Sequence, residues 1–145
     1  MALTKMSKCL FMAIMTIFTF STITVFASNS SSDPYVVFDS HGDIEKASGK
    51  ISFIPDNNDI QVLGQFNTGL TINDKDAYDF LIFDDQEKLF GNETSNIVKR
   101  LIINPPGCAP FTYTTDSYEI DDLVGKYFVV KRSGDVIGKG EFLEA

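Results

Sequence analysis

Ile60-Gln61-Val62-Leu63-Gly64-Gln65-Phe66 decides the fold. A strand turns successive side chains to opposite faces, so Ile60, Val62, Gly64 and Phe66 share one face and Gln61, Leu63 and Gln65 the other. The first set is expected to face a core. Just before it, Asp56-Asn57-Asn58-Asp59 supplies residues tolerant of tight backbone angles, which marks a turn.

The same grammar repeats outward from this segment. Short runs of β-branched and aromatic residues occur at Tyr35 to Phe38, Lys50 to Ile54 and Phe80 to Phe83. Others lie at Leu101 to Ile103, Phe111 to Thr115, Lys126 to Lys131 and Val136 to Leu143. Turn residues separate them at Asn73-Asp74, Pro105-Pro106-Gly107 and Ser133-Gly134-Asp135. Such spacing predicts an all-β domain of about eight antiparallel strands, a Greek-key barrel or immunoglobulin-like sandwich. Thirteen phenylalanines and no tryptophan supply the core volume, and Ile60, Val62, Phe66, Phe80, Ile82, Phe128 and Val130 are expected to be buried. The stretch Asn92 to Ile103 is ambiguous: an asparagine cap would open a short helix, but Ile97, Val98, Ile102 and Ile103 are β-branched, so the expectation there is strand or loop.

The N-terminal end reads differently. Lys5 and Lys8 precede an uncharged run from Leu10 to Phe26, and Val25-Phe26-Ala27 offers small or short residues where a signal peptidase cuts. Residues 1–27 are therefore expected to be a signal peptide, 28–34 a polar, serine-rich flexible leader, and 35–145 the folded domain. The competing reading, an uncleaved anchor, is disfavoured by the threonines and serine that dilute the run. Removal of the signal takes two of the twelve basic residues and none of the twenty acidic ones, leaving a net charge of −10. That balance argues against nucleic acid and anionic membranes as partners. Cys9 leaves with the signal, so Cys108 is the one cysteine of the mature chain and is expected to be buried. Asn29-Ser30-Ser31 and Asn92-Glu93-Thr94 fit the N-glycosylation pattern, and Asn29 and Asn92 are the acceptors expected of an exported protein.

Five segments carry a resemblance to a known family. They are Gly49-Lys50-Ile51-Ser52-Phe53, the strand from Ile60 running into Gly69-Leu70-Thr71, Asp79-Phe80-Leu81-Ile82-Phe83, Gly125 to Lys131, and Asp135-Val136-Ile137-Gly138. In order and spacing they resemble the copper/zinc superoxide dismutases, over roughly Tyr35 to Gly138, with no match between Gln86 and Glu119. The resemblance implies that Leu81 and Phe83 stand where the family has its His-x-His pair and Lys131 where it has a later histidine. Leucine and phenylalanine offer no donor, and lysine places a cation where a cation binds. It also implies that the family's long arginine-bearing loop is reduced to the turn between Lys131 and Val136, and that the disulfide of the metal loop lacks its second cysteine.

The expected function is therefore that of a secreted, non-catalytic domain on a superoxide dismutase-like scaffold, holding neither copper nor zinc and acting as a binding module for a protein or surface ligand. Leu81 and Phe83, which alternate outward from Phe80 and Ile82, are the expected contact surface. Two alternatives stand beside it: a divergent superoxide dismutase that completes a site from other residues or across a homodimer, and a structural component of the cell surface or wall. His41 reads as an exposed turn histidine. The loop acids Asp74, Asp76, Asp79, Asp84 and Asp85 lack the glycine and terminal glutamate of a spaced calcium loop and read as a solvated rim.

Overall fold

The computed structural model describes residues 33–145. The expected signal peptide with its cleavage after Ala27, Cys9 and the expected acceptor Asn29 lie outside the described residues. The domain is all-β, its eight-stranded antiparallel sheet curled into a half-barrel.

The sheet strands are β1 (Tyr35–Phe38), β2 (Ser48–Asp56), β3 (Asp59–Thr68), β4 (Tyr78–Phe83), β5 (Leu89–Asn92), β8 (Phe111–Thr115), β9 (Tyr127–Arg132) and β10 (Asp135–Leu143). A two-stranded ribbon, β6 (Ile103–Asn104) with β7 (Gly107–Cys108), and a helix, α1 (Thr94–Val98), lie between β5 and β8. Strand order is β5-β4-β9-β10-β1-β2-β3-β8, so β4 neighbours β9 and β3 neighbours β8 through Greek-key crossovers.

Local chemistry sets the turns. Asn57, in the left-handed region at φ 57°, turns β2 into β3 with Asp56 opposite Asp59. Ser133 and Gly134 both carry positive φ, the geometry of a type I′ hairpin, and pair Arg132 with Asp135. The Gly69-Leu70-Thr71 corner is fastened by Arg132, whose guanidinium meets Glu45 at 2.7 Å and donates to Thr71 Oγ1 at 2.5 Å.

Alternation in β3 falls as the sequence dictates, with Ile60, Val62, Gly64 and Phe66 buried and Gln61, Leu63 and Gln65 exposed. All seven residues expected in the core are buried. Phe66 is a hub. Its ring lies 5.5 Å from Phe38, 5.7 Å from Phe80 and 6.2 Å from Phe111, centroid to centroid, joining β1, β4 and β8 through one side chain. The Phe111 ring occupies the space over Gly64 that any side chain there would fill.

The segment from Asn92 to Ile103 departs from the expected strand or loop. Asn92 Oδ1 accepts the Thr94 N–H at 3.0 Å, and Thr94 Oγ1 accepts the Phe80 N–H at 2.9 Å, which starts α1 against β4. Burial of Ile97 inside the domain outweighs its β-branched reluctance to be helical. The strand expected over Leu101 to Ile103 is likewise corrected: Leu101 is a buried loop residue, Ile102 is exposed, and pairing begins only at Ile103. Ile97, Leu101, Ile103 and Cys108 fill the gap between the two edges of the half-barrel.

A polar clasp crosses the same gap. Glu93, just after β5, is 1% exposed; its Oε2 accepts from Tyr113 Oη at 2.7 Å and Asn96 Nδ2 at 3.1 Å, and its Oε1 from Tyr118 Oη at 2.5 Å. Tyr113 belongs to β8, so one carboxyl group bridges the two unpaired edges. The Tyr118 hydroxyl reaches it only because residue 91 is glycine; a Cβ there would strike the phenol. Burial first, then the neighbouring Glu93, pushes the pKa of Tyr113 well above the ordinary tyrosine value, and burial and the hydrogen bond to Glu93 do the same to Tyr118.

Three outcomes test this packing. Phe66→Ala should cost about 3–5 kcal/mol of unfolding free energy in urea titrations, and a loss under 1 kcal/mol would contradict the hub. Tyr113→Phe should cost about 1.5–3 kcal/mol, as expected for a hydrogen bond to a carboxylate. Because both phenols hold their protons more tightly when folded, the clasp's contribution is whole below about pH 10 and lost as pH rises beyond it. Alkaline unfolding followed by circular dichroism should thus shift to a higher midpoint, relative to neutral stability, in a Tyr113→Phe/Tyr118→Phe variant.

Candidate functional site

On β4, Tyr78, Phe80 and Ile82 point inward and are buried, leaving Asp79, Leu81 and Phe83 on the outer face. Antiparallel register places Leu81 opposite Val129, Asp79 opposite Lys131 and Phe83 opposite Tyr127 on β9. Directly opposed residues share a face, so Leu81, Phe83 and Lys131 all lie on the outside of the half-barrel, Lys131 diagonal to Leu81 and four residues along β9 from the partner of Phe83. The Lys131 ammonium lies 5.8 Å from the centre of the Phe83 ring.

A bulge in β10 between Val136 and Gly138 shapes the neighbouring column. It turns Ile137 into the core while Val136 stays outside, and it sets Lys139 beside Val129. Val129 is only 6% exposed although it lies outside the contiguous core; the side chains of the outer face cover it. A shallow cavity of about 250 Å3 results, with Phe83, Val129 and Val136 as its apolar lining, Lys131 and Lys139 on one rim, and Asp84 and Glu87 on the other. Leu81 and Phe83 are themselves half-buried. From the segment after Phe83, only the turn that opens β5 contributes to this cavity.

Lysines lie over aromatic rings elsewhere on the surface. Lys139 sits 4.4 Å from the ring centre of Tyr127, Lys50 4.6 Å from that of Tyr35, and Lys126 4.3 Å from that of Phe90. Each such pair stabilises an exposed site by about 0.5–1 kcal/mol and leaves the charge in water.

Copper and zinc take imidazole, thiolate or carboxylate donors. Leu81 and Phe83 present hydrocarbon and Lys131 an ammonium, so this face does not fit either metal. Among the described residues no three or more His, Cys, Asp or Glu side chains are grouped to hold a metal ion. His41 sits in the loop between β1 and β2 at φ 50°, its N–H bonded to Asp39 Oδ1 and its ring exposed. The loop acids have structural work: Asp74 accepts the Asp76 N–H, and Asp84 accepts those of Gln86 and Lys88. Cys108 is buried as expected, its sulfur accepting the Phe66 N–H at 3.3 Å. Burial pushes its thiol pKa up, which leaves it a poor nucleophile.

Four participants in the outer face were not picked out from sequence: Glu87, Val129, Val136 and Lys139. The alternation of Val136 to Leu143 does not announce the bulge that puts Val136 outside. Glu93 was also missed, since locally it is one acid among twenty and the middle residue of an acceptor triplet. Compared with models of known protein families and with curated proteins, the chain matches none.

Proposed function

We propose that the chain is an exported, non-catalytic binding module on a superoxide dismutase-like scaffold, and that the outer face around Leu81 and Phe83 is its contact surface for a protein or surface ligand. One observation carries this reading. The three positions that the resemblance equates with histidine ligands, Leu81, Phe83 and Lys131, all lie on one outward face, where Phe83, Val129 and Val136 form an apolar floor between Lys131 and Lys139 on one rim and Asp84 and Glu87 on the other. A surface built in this way suits contact, since the apolar floor gains from losing water and the rim sets orientation. The Ser133-Gly134 hairpin, where the family has a long loop, leaves that face open. Export is supported by the basic, then uncharged, N-terminal sequence, and the acceptor Asn92 is exposed on the domain.

Loading the purified mature protein with copper and zinc, followed by elemental mass spectrometry and a dismutation assay, should find far less than one metal per chain and no activity above the uncatalysed rate. Stoichiometric copper with activity would overturn the proposal in favour of a divergent enzyme. Leu81→Asp with Phe83→Asp should leave the fold intact by circular dichroism while abolishing binding to extracellular protein; unchanged binding would move the contact surface elsewhere.

A further inference from the structure

We propose that Asn92 carries an N-linked glycan whose first N-acetylglucosamine packs into the groove between β4 and α1, so that the sugar acts as part of the domain's wall. The inference rests on the export reading and goes beyond it by assigning the sugar a place in the fold.

The acceptor triplet is divided between structural and free groups. Glu93 is the buried clasp, and the Thr94 hydroxyl is tied to the Phe80 backbone. Asn92 is exposed, and what the fold needs of it is the side-chain oxygen that accepts the Thr94 N–H at 3.0 Å. Aspartate or serine would meet that need equally well. The amide nitrogen Nδ2, which distinguishes asparagine from these, makes no hydrogen bond among the described residues and is the atom to which a sugar is attached.

Asn92 also lines a groove of about 680 Å3, whose wall includes Asp79, Ser95, Val98 and Lys99. A pyranose ring has an apolar C–H face and a hydroxyl rim. Val98, half-buried, meets the first, while the Asp79 carboxylate, Ser95 hydroxyl and Lys99 ammonium serve the second. In the transfer, Nδ2 displaces the diphosphate from C1 of the terminal sugar of a lipid-diphosphate-linked oligosaccharide. The Nδ2–C1 bond forms, the C1–O bond to diphosphate breaks with its electron pair leaving on the lipid diphosphate, and the amide gives up one proton. Transfer precedes closure of α1 on β4, because folding engages the Thr94 hydroxyl.

The test uses the full chain with Asn29→Gln, produced in a eukaryotic secretory host and recovered from the medium. Intact mass should show one glycan. Three forms are then melted: fully glycosylated, trimmed to one N-acetylglucosamine, and stripped by peptide-N-glycosidase, which leaves aspartate at position 92 and so retains the oxygen cap. The first two should melt together and the third about 4 °C lower. Failure to reach the medium would overturn the export reading and this proposal with it. An exported chain lacking the glycan overturns the site alone, and three equal melting temperatures overturn the groove.

Discussion

A sheet that curls without closing has to deal with its two free edges, and the rest of this structure follows from how it does so. β5 and β8 end the strand order and do not pair with each other. Left open, the gap would expose the phenylalanine core and two rows of unpaired backbone groups. The chain between them fills it with α1 and the β6–β7 ribbon, and Glu93 ties the two sides through tyrosine hydroxyls. A buried carboxyl group is costly without partners. Here it has three donors, and among the described residues no buried side-chain nitrogen or oxygen lacks a partner.

Filling the gap from within the chain separates two tasks. The inner face and its plug carry stability, with Phe66 and Phe128 each touching rings from several strands. The outer face of β4, β9 and β10 is free of that task, and it displays hydrocarbon between Lys131 and Lys139 on one side and Asp84 and Glu87 on the other.

Most of the sheet was legible because period-two alternation is a direct image of burial. In β3 every second residue is apolar or glycine, and the segment has no other arrangement that hides them. The outward position of Leu81 and Phe83 followed from the same rule applied to Phe80 and Ile82. The plug was not legible, because its helix is only five residues long and is stabilised by Ile97 entering a core built by distant strands. β5 escaped notice for a related reason: Leu89 and Phe90 are both exposed, so no alternation marks it, and it forms because β4 offers an edge. The bulge that exposes Val136 depends on partner strands as well, which no local pattern records.

The sulfur of Cys108 gives the plug a further property. It lies on β7, within hydrogen-bonding distance of the Phe66 amide, so the thiol is hidden only once the ribbon has seated against β3. Closure of the seam and burial of this sulfur are thus one event, and the accessibility of Cys108 reports whether the ribbon is seated.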